Sequence, residues 1–232
     1  MLIGSVVLAV VSVGLGFAWW PLSLFVIPVL IWLFAFFRDP ERQIPSEQHA
    51  VVSPADGTVS DITPIDNDPL LGCPAIRVGI FLSVFNVHVN RAPCDGKVLN
   101  VIYKEGKFIN AMKHNEASDE NESNTILFGE PEGGRPIAVV KQIVGLIARR
   151  IVSTSKIGEE VRRGDRIGMI KFGSRTELTL PNWLEPQVKV QVGQPIRGGS
   201  DIIAILGKPI HTHRKPTVDG EYEPIVGRET PT

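Results

Sequence analysis

Val161-Arg-Arg-Gly-Asp-Arg-Ile-Gly-Met-Ile170 and Val190-Gln-Val-Gly-Gln-Pro-Ile-Arg-Gly-Gly199 are two copies of one pattern. Each copy places a glycine between two short runs whose composition suits β-strands. Glycine adopts positive φ angles that other residues reach only with strain, so it marks a tight turn. The two stretches therefore predict a small internal repeat of strand, glycine turn and strand.

Short β-branched runs recur through the rest of the chain, and most are bounded by glycine. They begin at Gly57, Ala75, Val84, Gly96 and Ile137, and runs of this kind predict strands. Lipoyl-type carrier domains and membrane-fusion adaptors share the strand and glycine-turn pattern. We therefore expect a mainly β fold of the α+β class, with a barrel-sandwich, lipoyl-like β core.

Two stretches between these runs are open to two interpretations. Residues 140–150 fit a helix or a strand equally well, because their apolar positions suit both. Residues 104–124 are polar and rich in Asn and Glu. This composition suits either a long surface loop that closes over a site or a disordered segment.

The N-terminus is a continuous apolar segment in which no residue from Leu2 to Phe37 is charged. Pro21 divides it into the parts 2–20 and 22–37. A helix needs about 20 apolar residues to span a bilayer, so a hairpin of two short helices and one tilted span both remain open. Residues 1–37 therefore predict a helical membrane anchor.

The charges that follow this segment predict its orientation. Arg38 and Arg42 come directly after it, whereas no Lys or Arg precedes it. The positive-inside bias then places the larger C-terminal part in the cytoplasm, at the inner (cell) membrane. The polar, proline-bearing residues 38–50 read as a linker, and residues 51–232 as the folded domain.

The overall composition argues against two classes of partner. With 24 basic and 25 acidic side chains the formal charge is −1, so no basic excess is available for a nucleic acid. Cys73 and Cys94 have neither the spacing nor the neighbouring histidines of a zinc site, and we expect no metal. Two isolated cysteines fit structural residues in a reducing compartment.

The Gly173-Ser174 pair lies in a short gap between two strand-like runs. By itself such a pair suits a hairpin turn. A serine held in a strained turn has a second use, because its hydroxyl can attack the preceding carbonyl, which glycine leaves unobstructed. The resulting ester is eliminated once a base removes the serine α-proton, and a pyruvoyl group is left at a new N-terminus.

This chemistry needs a base and a carboxylate that orients it. Ser53-Pro-Ala-Asp-Gly supplies Asp56, and the run that begins at Val84 supplies His88. Taken separately, Asp56 also fits a turn residue before glycine, and His88 a hydrogen-bonded strand histidine.

The order of these motifs, from Phe36 to about Ile205, resembles the phosphatidylserine decarboxylase family in its short (type A), pyruvoyl-dependent form. The matching pieces are Phe36-Phe-Arg-Asp-Pro-Glu-Arg, Ser53-Pro-Ala-Asp-Gly, Phe81-Leu, Asn86-Val-His-Val-Asn-Arg-Ala-Pro, Gly106-Lys-Phe-Ile-Asn-Ala, Asn121-Glu, Gly145-Leu-Ile-Ala-Arg-Arg-Ile-Val and Phe172-Gly-Ser.

The resemblance implies a role for each candidate residue. Ser174 becomes the pyruvoyl group, Gly173 ends the β chain 1–173, and Asp56 matches a charge-relay aspartate. His88 matches the first of two histidines in longer members, and Arg91 stands at the second, which is the one assigned to self-cleavage. Either His88 serves both self-cleavage and decarboxylation, or another base triggers cleavage.

The resemblance also implies a reaction and a set of partners. The pyruvoyl carbonyl forms a Schiff base with the amine of phosphatidylserine, and loss of CO₂ and hydrolysis release phosphatidylethanolamine without a diffusible cofactor. The expected assembly is an α/β heterodimer from one precursor, with a higher homo-oligomer left open. Arg149 and Arg150 are candidates for the lipid phosphate, or form a solvated basic face.

A non-catalytic, membrane-tethered β-sandwich adaptor is the rival interpretation. It accounts for the repeat and for the apolar segment. It gives no reason for Asp56, His88 and the Gly-Ser pair to occur together.

Overall fold

The computed structural model describes most of the chain, from the apolar N-terminus to the last strand. The residues described are 2–18, 20–108, 118, 120–131, 134–145, 150–171, 174–208 and 210. Gly173, Arg149 and residues 109–117 and 119 of the predicted loop at 104–124 lie outside them.

The apolar N-terminus forms two helices, α1 (Leu2–Ala18) and α2 (Trp20–Phe36), that contact each other. The break falls just before Pro21, which lies in the first turn of α2, where a residue without a backbone N–H is well tolerated. The hairpin alternative is therefore the observed one. No helix of the described residues has the length and hydropathy to cross a membrane, so the anchor stays a prediction.

The remainder is mainly β, as the short β-branched runs predict. The strands are β1 (Ala50–Val52), β2 (Gly57–Asp68), β3 (Cys73–Leu82), β4 (Val89–Arg91), β5 (Gly96–Lys104), β6 (Ser123–Gly129), β7 (Pro136–Val144), β8 (Arg150–Ser153), β9 (Glu160–Val161), β10 (Arg166–Lys171), β11 (Ser174–Pro181), β12 (Pro186–Val188), β13 (Pro195–Ile196) and β14 (Ile202–Leu206). A 3-10 turn, Asn182–Leu184, follows β11.

The strands form one large sheet and two small ones, and all the strand pairs described are antiparallel. The eight-stranded sheet has the order β13-β2-β3-β11-β7-β6-β5-β9, and the three-stranded sheets have the orders β4-β10-β8 and β1-β14-β12. Strand β11 lies inside the large sheet between β3 and β7, and all eight of its residues are buried.

Apolar side chains from all three sheets form the main core. Fully burying one large aliphatic or aromatic side chain stabilises a fold by about 1.5–3 kcal/mol. The members of the main core include Val78, Ile80, Leu82, Ile126, Phe128, Val140, Ile167, Leu178, Leu180 and Ile203. The core therefore joins the strands on both sides of β11 into one unit.

The predicted internal repeat is present. Gly164 and Gly193 occupy the same place in the two copies, and each has a φ angle of +88°. The following residue closes the same turn in both, because the N–H of Asp165 donates to the Arg162 carbonyl at 3.0 Å and that of Gln194 to the Gln191 carbonyl at 3.1 Å.

Two sequence-based expectations are resolved by side-chain and strand pairing. The run beginning at Val84 is mostly not a strand, because the Asn86 side-chain oxygen accepts from both the N–H and the hydroxyl of Ser83, at 2.8 and 2.7 Å, and holds a turn. Strand β4 starts only at Val89. Residues 140–144 are strand rather than helix, since β7 pairs with β6 and β11.

The two equivalent glycines differ in what an added methyl group would meet. A Cβ at Gly164 would lie 2.3 Å from Cδ1 of Ile44, whereas a Cβ at Gly193 would have no atom within 4 Å. We expect Gly193→Ala to lower the free energy of unfolding by about 1–2 kcal/mol through its positive φ alone, and Gly164→Ala to lower it further. Urea denaturation measures both, and equal losses would contradict the packing of Ile44 against the first turn.

Candidate active site

Ser174 begins strand β11 and is fully buried. Its backbone lies between Leu82 of β3 and Val144 of β7 in the strand register. The Oγ atom is buried and has no hydrogen-bond partner in the described part of the chain. A buried hydroxyl without a partner is costly, so such an atom in a native fold calls for an explanation.

The bond before Ser174 lies where the chain passes from one sheet to another. Strand β10 ends at Lys171, which pairs with Arg150 in a three-stranded sheet, and β11 begins at Ser174 in the large sheet. Only residues 172 and 173 connect them, and both lie outside the described residues. The predicted cleavage bond, Gly173-Ser174, thus lies directly before β11, and both β10 and β11 are held by sheet pairing.

His88 lies just before β4 and is also fully buried. Its Nδ1 atom is 2.9 Å from the carbonyl oxygen of Asn86. Because a carbonyl only accepts, we assign the proton to Nδ1, which leaves the lone pair on Nε2. Nε2 is buried and has no partner among the described residues, so it is free to accept a proton.

The surroundings of His88 keep its ring neutral. Burial lowers the pKa of His88 to about 4; the hydrogen bond to Asn86 opposes this shift, and the charge of Arg38 adds to it. The imidazole is therefore uncharged at neutral pH, which is the state that a general base requires.

The end of the apolar hairpin forms one wall of this site. Phe36, the last residue of α2, is 1% exposed, and its ring centroid lies 4.3 Å from that of His88. The Arg38 guanidinium donates to the carbonyl of Phe85 at 2.8 Å, which ties the hairpin to the turn before His88. Sequence reasoning missed this role, although Phe36 opens the first motif of the family resemblance.

Asp56 is buried but has partners other than the histidine. The Nη2 atom of Arg42 lies 2.9 Å from both carboxylate oxygens, and the N–H of Gly198 donates to Oδ1 at 2.8 Å. Within the described residues no hydrogen bond joins Asp56 to His88. Among the described residues this carboxylate therefore does not orient the imidazole through a hydrogen bond.

The segment 38–50, which was expected to be a linker, is attached to the domain by arginines. Asp39 accepts from Arg91 at 2.7 Å and also from Arg166. Arg163 donates to the carbonyls of residues 45, 47 and 50. Arg91, which the family resemblance sets at the position of a second histidine, thus forms an ion pair with Asp39.

A buried amide network joins the two layers beside the site. Asn90 donates to the Thr176 hydroxyl at 3.1 Å and accepts from Gln142 at 2.8 Å. Gln142 in turn accepts from Asn124 at 2.8 Å. Alternate residues of a strand face the same side, so Ser174 and Thr176 both face the layer that carries Asn90.

Strand β10, which precedes Ser174 in the chain, is hydrogen-bonded to the backbone of His88. The N–H of Ile170 donates to the His88 carbonyl at 3.2 Å. Ile170 is four residues before Ser174, a stretch that reaches at most about 14 Å when fully extended. Ser174 and His88 are thus both buried and both linked to β10, whereas Asp56 is bound to Arg42.

Of the two arginines that are candidates for binding the lipid phosphate, the structure describes only one. Arg149 lies outside the described residues, and Arg150 is exposed at the start of β8. In the strand register Arg150 lies opposite Lys171, three residues before Ser174. Two basic residues are thus neighbours in the sheet next to the predicted cleavage bond.

Comparison with known proteins gives one consistent family. The family model for phosphatidylserine decarboxylase matches residues 29–204. A protein of Rhodopirellula baltica named phosphatidylserine decarboxylase proenzyme is 44% identical over 204 residues, 88% of this chain and 82% of that protein. A protein of the same name from Ruegeria pomeroyi is 43% identical over 86% of this chain and 90% of that protein. Another from Carboxydothermus hydrogenoformans is 46% identical over 78% of this chain and 83% of that protein.

The contact between Phe36 and His88 yields a prediction about charge. Phe36→Ala removes the ring that shields the imidazole from water, so the pKa of His88 should rise from about 4 toward its ordinary 6.5. Phe36→Leu keeps an apolar cover and should shift the pKa much less. NMR titration of the histidine Cε1–H signals measures this, with His88→Gln identifying the signal, and an unchanged midpoint in Phe36→Ala would contradict it.

Proposed function

The chain belongs to the phosphatidylserine decarboxylase family, and from that premise we propose that it is a precursor that cleaves itself before Ser174 and then converts phosphatidylserine to phosphatidylethanolamine and CO₂. One observation carries the proposal beyond the family. Ser174 Oγ and His88 Nε2 are both buried and without a partner in the described chain. The absence of a hydrogen-bond partner at both atoms is explained if Ser174 Oγ is the nucleophile and His88 Nε2 the base of the proposed reaction.

Self-cleavage uses groups that the chain itself supplies. Ser174 Oγ attacks the Gly173 carbonyl carbon, an ester replaces the amide, and the nitrogen of residue 174 becomes a free amine. A base then removes the α-proton of residue 174, and the Gly173 carboxylate leaves as the C-terminus of the β chain. The dehydroalanine that remains tautomerises to an imine, which takes up water and loses ammonia to give the pyruvoyl group.

His88 is our candidate for the proton transfers. Its neutral ring and free Nε2 suit a base, and Arg91, at the alternative position, is held in an ion pair with Asp39. We assign His88 to both self-cleavage and decarboxylation. Asp56 then acts through Arg42 and the backbone of Gly198 to hold the surrounding loops.

The surroundings of residue 174 suit a small electrophilic group. The Ser174 side chain is buried and forms no hydrogen bond with the described residues that a pyruvoyl group would have to break. Once formed, that group supplies a carbonyl that captures the substrate amine and accepts the electrons released with CO₂. The buried position keeps bulk water away from residue 174, and we assign to His88 the proton transfers at that residue.

We further propose that the hairpin α1–α2 associates with the inner membrane and that the β domain faces the cytoplasm. The hairpin exposes large apolar side chains, such as Val10 at 66% and Phe25 at 74%, and Arg38 follows directly after it. Arg150, with Arg149, is our candidate for the lipid phosphate. The assembly unit is then an α/β heterodimer with a barrel-sandwich core built on the internal repeat.

The adaptor interpretation has no observation in its favour beyond the repeat and the apolar hairpin. It leaves the buried Ser174 hydroxyl and the buried His88 nitrogen without a purpose.

The purified protein is expected to consist of two chains, residues 1–173 and a blocked chain of 59 residues from position 174. Ser174→Ala should leave a single chain of 25.4 kDa and no decarboxylase activity, because alanine has no hydroxyl to form the ester. Intact-mass spectrometry and CO₂ release from phosphatidylserine vesicles measure the two outcomes. A single intact chain in an active wild-type preparation would overturn the proposal.

His88→Gln should slow self-cleavage by about 100-fold or more, which is the usual loss when a general base is removed. Asp56→Asn should slow it less, because that carboxylate contacts Arg42 rather than the imidazole. His213→Gln serves as the control, since it lies outside the segment that matches the family. Pulse-chase conversion of the precursor gives the rates, and normal cleavage in His88→Gln would assign the base to another group.

A further inference from the structure

Arg175 is the second residue after the proposed cleavage bond, and its side chain lies on the face of β11 opposite to that of Ser174. It is fully buried in the structure. Its Nε donates to the Glu177 carboxylate at 2.9 Å, Nη1 to the Ser60 hydroxyl at 2.5 Å and Nη2 to the Asp61 carboxylate at 2.7 Å. All three nitrogens of the guanidinium therefore have acceptors.

The two carboxylates around Arg175 are themselves held in place. Arg77 lies 3.8 Å from Asp61 and 3.9 Å from Glu177. The hydroxyl of Ser118 donates to Glu177. Burial alone would raise the pKa of Asp61, but the hydrogen bond and charge of Arg175, together with the Ser60 hydrogen bond and the charge of Arg77, hold that pKa below its ordinary value. Asp61 is thus ionised beside the guanidinium, and this pairing offsets part of the cost of burying the charge of Arg175.

The path of the Arg175 side chain depends on a glycine. Arg175 is in β11 and Asp61 in β2, and strand β3 lies between them. In the register Gly79 of β3 is the residue opposite both Asp61 and Glu177. A Cβ at Gly79 would lie 2.1 Å from Arg175 Nη2 and 2.3 Å from Asp61 Oδ2. The missing side chain at Gly79 therefore makes the room in which the guanidinium crosses β3.

Cleavage before residue 174 creates a new chain end next to the ion pair of Arg175. In the precursor, residue 174 is held by the chain on both sides. In the cleaved protein it is a chain end, and chain ends fray unless side-chain or backbone contacts secure them. Its backbone pairing with β3 and β7 remains, and Arg175 is the first side chain of the new chain that reaches a further strand, β2.

We propose that Arg175 is a positioning residue that keeps the new end of β11 in register after cleavage. It does so through its hydrogen bonds to Asp61 and Ser60 across Gly79, and these contacts are called the clasp below. The inference rests on the proposed self-cleavage, since an uncleaved chain has no such end. It assigns Arg175 no contact with the substrate. It predicts that loss of the clasp harms the cleaved enzyme more than the precursor.

Arg175→Met tests this, because methionine keeps an unbranched side chain but removes the charge and all donors. In cleaved Arg175→Met, amide exchange at residues 175–178 should be at least about tenfold faster than in the cleaved wild type, and kcat should fall by a similar factor with KM nearly unchanged. Arg175→Lys, which retains a charge able to reach a carboxylate, should recover part of both losses.

Two comparisons separate positioning from a general loss of stability. In the uncleaved Ser174→Ala background, adding Arg175→Met should change exchange at residues 175–178 by less than about threefold. Arg197→Met removes an exposed arginine that is paired with Asp201, and should change neither quantity. Equal acceleration in the cleaved and uncleaved forms would overturn the proposal, as would wild-type exchange and kcat in cleaved Arg175→Met.

If Arg175→Met does not fold, Asp61→Asn removes the charge at the far end of the clasp and should give the same pattern more weakly. A wild-type chain that is never cleaved would refute self-cleavage itself. That result is distinguishable, because intact mass reports it before any exchange is measured.

Discussion

Strand β11 is hydrogen-bonded on both edges, to β3 and to β7, and none of its eight residues is exposed. Its first residue carries the nucleophile of the proposed reaction, and the preceding strand, β10, belongs to a different sheet. Both ends of the two-residue link at 172–173 are therefore held by pairing that the rest of the fold stabilises. A rigid frame on either side of one bond is what an attack within the backbone requires, since orientation lowers the barrier only when it is already established.

The two faces of β11 have different physical characters. Ser174 and Thr176 face a layer of neutral amides, in which Asn90 accepts from Gln142 and donates to the Thr176 hydroxyl. Arg175 and Glu177 face the other way into a group of paired charges. Strand residues alternate between the two faces of a sheet. Four consecutive residues of β11 therefore place the uncharged reaction site on one face and the ion pairs of Arg175 and Glu177 on the other. A charge beside Ser174 would itself need a buried partner.

The apolar hairpin takes part in the site as well as in the proposed membrane contact. Phe36 covers the His88 ring, and Arg38 fixes the turn that carries it. Burial by an apolar ring lowers the pKa of the imidazole and keeps it neutral. The environment of a candidate base therefore depends on the end of a helix whose other exposed side chains suit lipid. The position of the hairpin therefore affects the pKa of His88 and the protonation state of its ring.

Local pattern was sufficient for much of the fold and for the choice of candidates. The β-branched runs predicted most strands, the repeat predicted positive φ at Gly164 and Gly193, and Gly173-Ser174 with His88 and Asp56 was singled out from motifs alone. These features depend on neighbours within about ten residues, or on family resemblance. The sequence left the choice between hairpin and single helix open, and it predicted a strand where Asn86 and Ser83 form a turn.

Tertiary structure alone decided which distant side chains meet. Phe36 contacts His88 across 52 positions, Arg42 binds Asp56 rather than leaving it to the histidine, and Arg175 reaches Asp61 across 114 positions through the space that Gly79 leaves. No periodicity within a segment encodes such contacts, because they depend on the order of strands in the sheet and on the register between them. A shift of one residue in the register of β11 would turn Arg175 to the opposite face of the sheet.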